Sequence, residues 1–372
     1  MHLALENIGK KVATEEHIHP LSLSLQPGAI NVLLGATRAG KTTLMRLMAG
    51  LDRPTGGRVL ADGKDVTGVP VRERELAMVY QQFINYPSFT VYDNIASPLR
   101  IRRVPESEVR KRVTDMAERL HITPYLQRSP SELSGGQQQR TALARALVKD
   151  AGLLLLDEPL VNLDYKLREE LRRELTDLFS EGKTTVVYAT TEPLEALQLG
   201  GNVAVLHEGR LLQQGPTIDV FNAPNSIQAA RAFSDPPINL IRATLDSQSN
   251  AHAGGGLVIA MNVEQRQKAA RQKDVVLGLR AHSLHLARRH ADDIVIEAQV
   301  ELAEISGSET YVHMHRGPVA LVAQLPGVHN LDIGSSCCMY CRTDDLLLFA
   351  ADGALLHAPQ RFHERESRHG AN

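Results

Sequence analysis

Among 372 residues there is no tryptophan, and only eight tyrosines and seven phenylalanines. A site that grips a flat ligand by stacking has few rings to draw on. Cysteine is nearly as scarce: Cys337, Cys338 and Cys341 make up the whole complement. Three thiols form no disulfide framework and fit a reducing, cytoplasmic setting. No run approaches the ~20 apolar residues that cross a bilayer. If this chain serves a membrane, it is expected to do so from outside the hydrocarbon. The start, Met1-His2-Leu3-Ala4-Leu5-Glu6, lacks the basic segment and apolar run of an export signal. An excess of charge is missing too, since 41 basic and 43 acidic side chains leave a net of −2. That balance argues against a main task of gripping nucleic acid.

What is present is ample for a hydrophobic core and predicts two or three domains. Up to about residue 235 the sequence alternates between strand-like and helix-like patterns. Short apolar runs at 29–34, 152–156 and 184–189 read as buried strands. Leu163, Leu167, Leu171, Leu175 and Leu178 recur at helical spacing between charges. The alternation predicts an α/β fold with a largely parallel sheet covered by helices. Composition changes at Phe233-Ser234-Asp235-Pro236-Pro237. Beyond it, strand-like pieces at 275–279, 294–300, 310–314, 319–322 and 346–349 predict a small β-barrel or sandwich over 236–358. The polar stretch 359–372 reads as a disordered tail.

Two motifs carry chemistry. Gly35-Ala36-Thr37-Arg38-Ala39-Gly40-Lys41-Thr42 fits G-x-x-x-x-G-K-[ST] and sits between a strand pattern and a helix pattern. Its glycines let backbone N–H groups curl around phosphate oxygens. Lys41 brings a positive charge to the β- and γ-phosphates, and Thr42 offers a hydroxyl to Mg²⁺. The helix that begins there points its positive end at the anion. Leu153-Leu154-Leu155-Leu156-Asp157-Glu158-Pro159 is an apolar strand ending in two acids. Asp157 can hold Mg²⁺ and Glu158 can act as general base on a water.

With these motifs, Leu133-Ser134-Gly135-Gly136-Gln137-Gln138-Gln139-Arg140 closely resembles the signature of ABC-type ATPases. The resemblance extends over almost the whole chain. Val79-Tyr80-Gln81 looks like the family's Q-loop, and Leu163-Asp164 like its D-loop. Leu277-Gly278-Leu279-Arg280 and Gly307-Ser308-Glu309-Thr310 stand where sugar-importer ATPases carry similar runs in an OB-like regulatory domain. The resemblance implies a P-loop cassette over 1–235 with a helical subdomain at about 83–150. It implies ATP as ligand, with residues 35–42 and Thr43 on its phosphates. It also implies a head-to-tail dimer of cassettes. Ser134, Gly135, Gly136, Gln137 and Asp164 would complete the partner's site, while Gln81 would sense Mg²⁺ and the attacking water. Independently, Ser-Gly-Gly at the head of a helix over 137–149 exposes N–H groups to an anion.

Three positions depart from the family pattern. Where an aromatic usually stacks on adenine, counting back from Lys41 reaches Val12, with no ring nearby. Where a switch histidine usually follows the strand 184–189, this chain has Thr191. A hydroxyl spans less distance than an imidazole and carries no charge. In a plainer reading, Thr191 caps a helix that has Pro193 in its first turn. Val161 replaces a small polar residue just before the D-loop. With the signature kept and these groups gone, the expectation is the degenerate half of a heterodimeric ATPase pair. The partners would be a second, non-identical ABC ATPase subunit, two membrane permease subunits and, indirectly, a periplasmic substrate-binding protein. No nucleic acid is expected. The chain would lie on the cytoplasmic face of the inner membrane.

The runs Met78-Val79-Tyr80-Gln81-Gln82-Phe83-Ile84-Asn85-Tyr86-Pro87, Thr190-Thr191-Glu192-Pro193 and Ser234-Asp235-Pro236-Pro237-Ile238-Asn239 resemble one of the two paired ATPases of bacterial glycerol importers. That branch lies near the glycerol-phosphate and maltose importers. Other readings are a homodimeric sugar or glycerol-phosphate importer ATPase, a nucleotide-binding regulator that hydrolyses almost nothing, and a soluble ABC protein of translation or repair. Cys338-x-x-Cys341 is read as ordinary strand sequence. His282-x-x-His285 and His313-x-His315 are read as solvated or packed histidines, although ten of the 15 histidines follow residue 240. The charged stretch 100–119 reads as one helical face near a permease.

Overall fold

The computed structural model describes residues 1–161, 163, 165–179 and 182–359. The chain divides into two compact units, Met1–Thr217 and Ile218–Asn372. The expected tail from residue 360 onward, Asp164 and the segment 180–181 lie outside the described residues.

The first unit opens with a hairpin, β1 (Leu3–Val12) and β2 (Glu15–Ser24), and then β3 (Ile30–Leu34). Helix α1 (Lys41–Ala49) leads to β4 (Gly56–Ala61), β5 (Lys64–Asp65) and β6 (Leu76–Val79). Three helices follow: α2 (Val91–Ile101), α3 (Glu106–Arg119) and α4 (Gly135–Leu147). The unit then alternates through β7 (Leu153–Asp157), α5 (Tyr165–Phe179), β8 (Thr185–Thr190), α6 (Pro193–Leu199), β9 (Asn202–His207) and β10 (Arg210–Pro216).

One sheet has the order β2-β1-β4-β5 and the other β10-β9-β3-β8-β7-β6. In the second sheet β9, β3, β8, β7 and β6 run parallel, and β10 closes the edge antiparallel. β7 and β8 are buried along their whole length, as the unbroken apolar runs predict for strands covered on both faces. The main core lies between the two sheets. Leu5, Ile8 and Leu23 from one meet Leu33, Leu155 and Val187 from the other, with Leu44, Met45 and Met48 of α1 between them. Parallel order brings the carboxyl ends of β3, β6, β7 and β8 to one edge, where open α/β sheets bind ligands.

The expected helical subdomain is formed by α2, α3 and α4. The predicted face at 100–119 is in fact two helices, with a break at 102–105. Pro105 cannot continue α2 and instead stands at the N-terminus of α3. The signature helix begins at Gly135, two residues before the predicted start, because the Ser134 side chain caps it. Leu163 stands before α5, whereas Leu171 and Leu175 sit on its buried side.

The second unit is mostly strand. α7 (Thr217–Asn222) leads into it, followed by α8 (Ile227–Ala232), β11 (Asn239–Leu245), β12 (Asn250–Ala253), β13 (Val258–Ala260), α9 (Val263–Ala269) and β14 (Asp274–Leu279). Then come β15 (Ile294–Ser306), β16 (Glu309–Arg316), β17 (Val319–Pro326), β18 (Ser336–Cys341), β19 (Leu347–Ala350) and β20 (Leu355–His357). They form antiparallel sheets of order β13-β12-β11-β14-β19-β20 and β17-β16-β15-β18. Both sheets close over one core, where Ile241, Leu277 and Leu348 face Ile296, Val312 and Met339. This is the expected OB-like β domain.

The unit begins earlier than the composition change near residue 235. Ala230 of α8 packs with Ile238, Leu347 and Phe349. The Ile227 N–H donates to Gly353 O at 2.9 Å. Arg280 lies 3.9 Å from the Phe221 ring centroid and donates to Phe221 O at 2.6 Å. Those contacts are tertiary, so the composition of 218–235 does not reveal them.

Candidate functional site

Two glycines of the loop after β3 sit where packing leaves no room for a side chain. A Cβ on Gly35 would fall 2.4 Å from Leu206 O. Gly40 is left-handed, with φ 102°, and a Cβ there would fall 2.7 Å from Ile18 Cδ1. Arg38 is also left-handed, at φ 68°. Ala36, Thr37 and Arg38 form an exposed crown, and the Ala39 N–H donates back to Ala36 O at 3.0 Å. The result is a backbone concavity above the start of α1, of the kind that binds anions.

Lys41 is buried at 4% exposure, and its ammonium is gathered by three acceptors. Nζ donates to Gly35 O at 2.7 Å and Ala36 O at 3.1 Å, and lies 3.2 Å from Glu158 Oε1. The Thr42 hydroxyl donates to Asp157 Oδ1 at 3.1 Å. Gln81 Nε2 donates to Glu158 Oε2 at 3.1 Å. Residues 35, 41, 42, 81, 157 and 158 therefore meet at one sheet edge, as the motifs predict. Thr43 is half-buried in the first turn of α1.

Burial pushes the Asp157 carboxyl above its usual range, with the Thr42 hydrogen bond opposing and the neighbouring Glu158 charge adding to the rise. The buried Asp157 carboxylate and the Thr42 hydroxyl bonded to it are hard oxygen donors, and the Gln81 side chain, held on Glu158 next to them, offers an amide carbonyl. That set fits a small divalent cation. Asp157, Thr42 and Gln81 would hold it. Glu158 has φ 47°, uncommon for a residue with a Cβ, and its N–H donates to Ala189 O at 3.1 Å. Such backbone strain recurs where a side chain must be aimed at chemistry.

The signature residues build a second anion-binding end. Ser134 Oγ accepts from Gln137 N at 3.4 Å, and Gln137 Oε1 accepts from Ser134 N at 3.0 Å. This reciprocal cap leaves Gly135 exposed at the head of α4. The segment after Gln81 is tied to the same helix. Asn85 Nδ2 donates to Gln138 O at 2.8 Å, and Arg145 lies 4.7 Å from the Tyr86 ring centroid.

Val12 ends β1 opposite Glu15 and is 46% exposed. Thr191 follows β8 directly, at the same edge as Glu158. The reading of Thr191 as a helix cap is corrected here. The N-cap of α6 is Glu192, which makes no side-chain cap, and Pro193 opens the helix by its fixed φ.

Thr190 and Glu195 carry no role assigned from sequence. Thr190 Oγ1 donates to Glu195 Oε2 at 2.6 Å and accepts from the Glu192 N–H at 3.0 Å. The Tyr188 hydroxyl donates to the same Glu195 oxygen at 3.3 Å. Burial raises the Glu195 carboxyl above its usual range, with the Thr190 hydrogen bond working against it. The available signal was spacing: Glu195 and Leu199 share one face of α6, four residues apart.

In the second unit, Cys337 and Cys341 point inward from β18 and Cys338 outward, as ordinary strand alternation requires. His315 pairs with Glu301 at 2.9 Å across the β15–β16 ladder. Among the described residues, no helix is long and apolar enough to cross a membrane.

Comparison with known proteins agrees with this geometry. The family model described as ABC transporter matches residues 18–161. The chain is similar to the alpha-glucoside transport ATP-binding protein of Rhizobium meliloti, 34% identical over 95% of this chain and 96% of that protein. It is 35% identical to the sn-glycerol-3-phosphate import ATP-binding protein of Pectobacterium atrosepticum, over 91% and 94% of the two chains. A solved dimeric ATP-binding cassette in a post-hydrolysis state, bound to ADP and Pi, matches with TM-score 0.53 and 28% identity. It covers 58% of this chain and 98% of its own.

Proposed function

Since this chain belongs to the ABC transporter ATP-binding family, we propose that it is the ATP-hydrolysing subunit of an importer for a carbohydrate or polyol, glycerol or a near relative. The observation that carries the hydrolytic part is the cluster in which Lys41 and Gln81 both grip Glu158, 3.2 and 3.1 Å away, beside the Thr42–Asp157 pair. The support for import is likeness along nearly the whole chain, second unit included, to ATP-binding subunits named for such transport.

In this reading the loop N–H groups and Lys41 bind the phosphates of ATP. Glu158 accepts a proton from the attacking water, and Gln81 holds both the carboxylate and the water in line. Thr42, Asp157 and Gln81 would hold Mg²⁺, which when bound would supply charge neutralisation at the phosphates. Thr191 donates one hydrogen bond towards the γ-phosphate. The head of α4, Ser134 to Gln137, serves ATP held by a second cassette, and Asp164 belongs to the same interface. Two permease subunits supply the channel and a periplasmic binding protein delivers the substrate. The chain then sits peripherally on the cytoplasmic face of the membrane. The OB-like second unit, which begins at Ile218, has a regulatory part in this scheme.

The pairing is asymmetric. This chain keeps its signature but has Thr191 in place of the switch histidine and an exposed Val12 in place of the adenine ring. Its own site is therefore the slow one, and its signature completes the faster site of a non-identical partner. Removing one preorganised donor costs roughly 10²–10³ in rate. T191H is accordingly expected to speed single-turnover hydrolysis by at least ~10-fold. In the reconstituted complex, substituting Glu158 is expected to cost less than substituting the partner's corresponding acid. Equal losses, with no gain from T191H, would favour a homodimer-like engine.

A further inference from the structure

Behind the carboxyl end of β8 lies a chain of buried polar groups that touches neither phosphate loop nor cation ligands through its side chains. Tyr188, Thr190 and Glu195 are 0%, 2% and 6% exposed. Glu195 Oε2 accepts from Thr190 Oγ1 at 2.6 Å and from the Tyr188 hydroxyl at 3.3 Å. Thr190 Oγ1 accepts in turn from the Glu192 N–H at 3.0 Å, which spans Thr191. The Glu192 carboxylate is itself held by Arg168 of α5 at 2.6 Å.

The same strand end supports the reaction site from its other side. Thr190 O accepts from the Gly35 N–H at 3.3 Å, and Ala189 O accepts from the Glu158 N–H at 3.1 Å. Two backbone carbonyls of β8 therefore carry the first residue of the phosphate loop and the strained turn that aims Glu158. One side chain, Thr190, locks that strand end, and one carboxylate, Glu195, locks Thr190. A buried carboxylate is costly unless its hydrogen bonds are made. Here both donors on Oε2 come from β8.

We propose that Glu195 is a positioning residue for hydrolysis: by anchoring Thr190 it fixes the backbone on which Thr191, Gly35 and Glu158 are hung. It makes no contact with substrate. It acts by holding the reacting geometry, where a misplacement of ~1 Å costs on the order of 10²-fold in rate. The proposal rests on the hydrolytic roles assigned above to Glu158 and Thr191.

The test uses the full-length chain with E195L, E195Q, T190V and T190S. Two readouts are followed: single-turnover release of phosphate from γ-labelled ATP, and equilibrium binding of a fluorescent ATP analogue. E195L and T190V should each slow turnover by ~10–100-fold while nucleotide affinity stays within ~3-fold. E195Q keeps an acceptor oxygen and T190S keeps the hydroxyl, so both should stay within ~3-fold of wild type. The E195L/T190V double variant should be no slower than its slower parent, because both break the same chain. Wild-type turnover in E195L, a loss shared equally by affinity and rate, or no rescue by E195Q would each overturn the proposal. If E195L does not fold, the smaller change T190V decides by the same criteria. A wild-type chain that binds ATP without any turnover would overturn the hydrolytic reading, and this proposal with it.

Discussion

At the residue scale, Glu158, the proposed general base, and the phosphate loop depend on positions where the backbone is forced. Glu158 stands at φ 47° beside a lysine 3.2 Å away. The signature glycines split by the space around them. A Cβ on Gly136 would fall 2.1 Å from Leu167 Cδ2, whereas one on Gly135 meets nothing within 4 Å. G136A should therefore lower stability by ~1–2 kcal/mol through overpacking, and G135A should melt with the wild type. L167A should recover most of the loss, since the clash is with one methyl. Denaturant melts of the four proteins check this. The thiols separate in the same manner. Cys341 is buried and its thiol is pushed up to about 12, chiefly by desolvation, while Cys338 is exposed. Brief alkylation of native protein at pH 8 should label Cys338 and spare Cys341, read by peptide mass spectrometry.

At the element scale, legibility followed the range of the forces involved. The phosphate loop, the two acids at the end of β7 and the signature were readable because each is a local run with its own spacing and strand or helix context. Glu195 was not: Thr190 and Tyr188 lie only five and seven residues before it, but the three groups meet through the turn between β8 and α6, which no motif marks. The break between α2 and α3 was in principle available from Pro105, but a continuous run of charge hid it. The unit boundary was displaced because α8 is a six-residue helix whose alanines carry little signal, yet Ala230 joins the core of β19.

Elements of the second unit also carry a pH prediction. Arg289 Nη1 lies 2.9 Å from His285 Nε2, and a guanidinium only donates, so that nitrogen must be an unprotonated acceptor. Burial first, and then the Arg289 charge, hold His285 below its usual value of 6.5, outweighing Asp345 and Asp293. His357 is likewise lowered by burial. A depressed histidine contributes stability above the unfolded value of 6.5, and this is lost as pH falls through the folded value. Melting temperature of the second unit should thus fall on acidification from pH 7 to pH 5. H285N should flatten that slope, and thermal melts across the range measure it.

At the scale of the whole molecule, one cassette carries one phosphate loop and one signature, which in the proposed function serve different composite sites. Among the described residues no helix is long and apolar enough to cross a membrane, and in the proposed function other chains supply the channel. The central claim is that the cluster at the carboxyl edge of β3, β6, β7 and β8 hydrolyses ATP with Glu158 as base. The most direct measurement is single-turnover phosphate release from ATP by the full-length chain and its E158Q variant, alongside ATP binding by both. The account predicts slow but measurable release by the wild type, a further loss of ~10²–10³-fold in E158Q, and unchanged ATP affinity. Release by E158Q at the wild-type rate, or loss of ATP binding on that substitution, would contradict it.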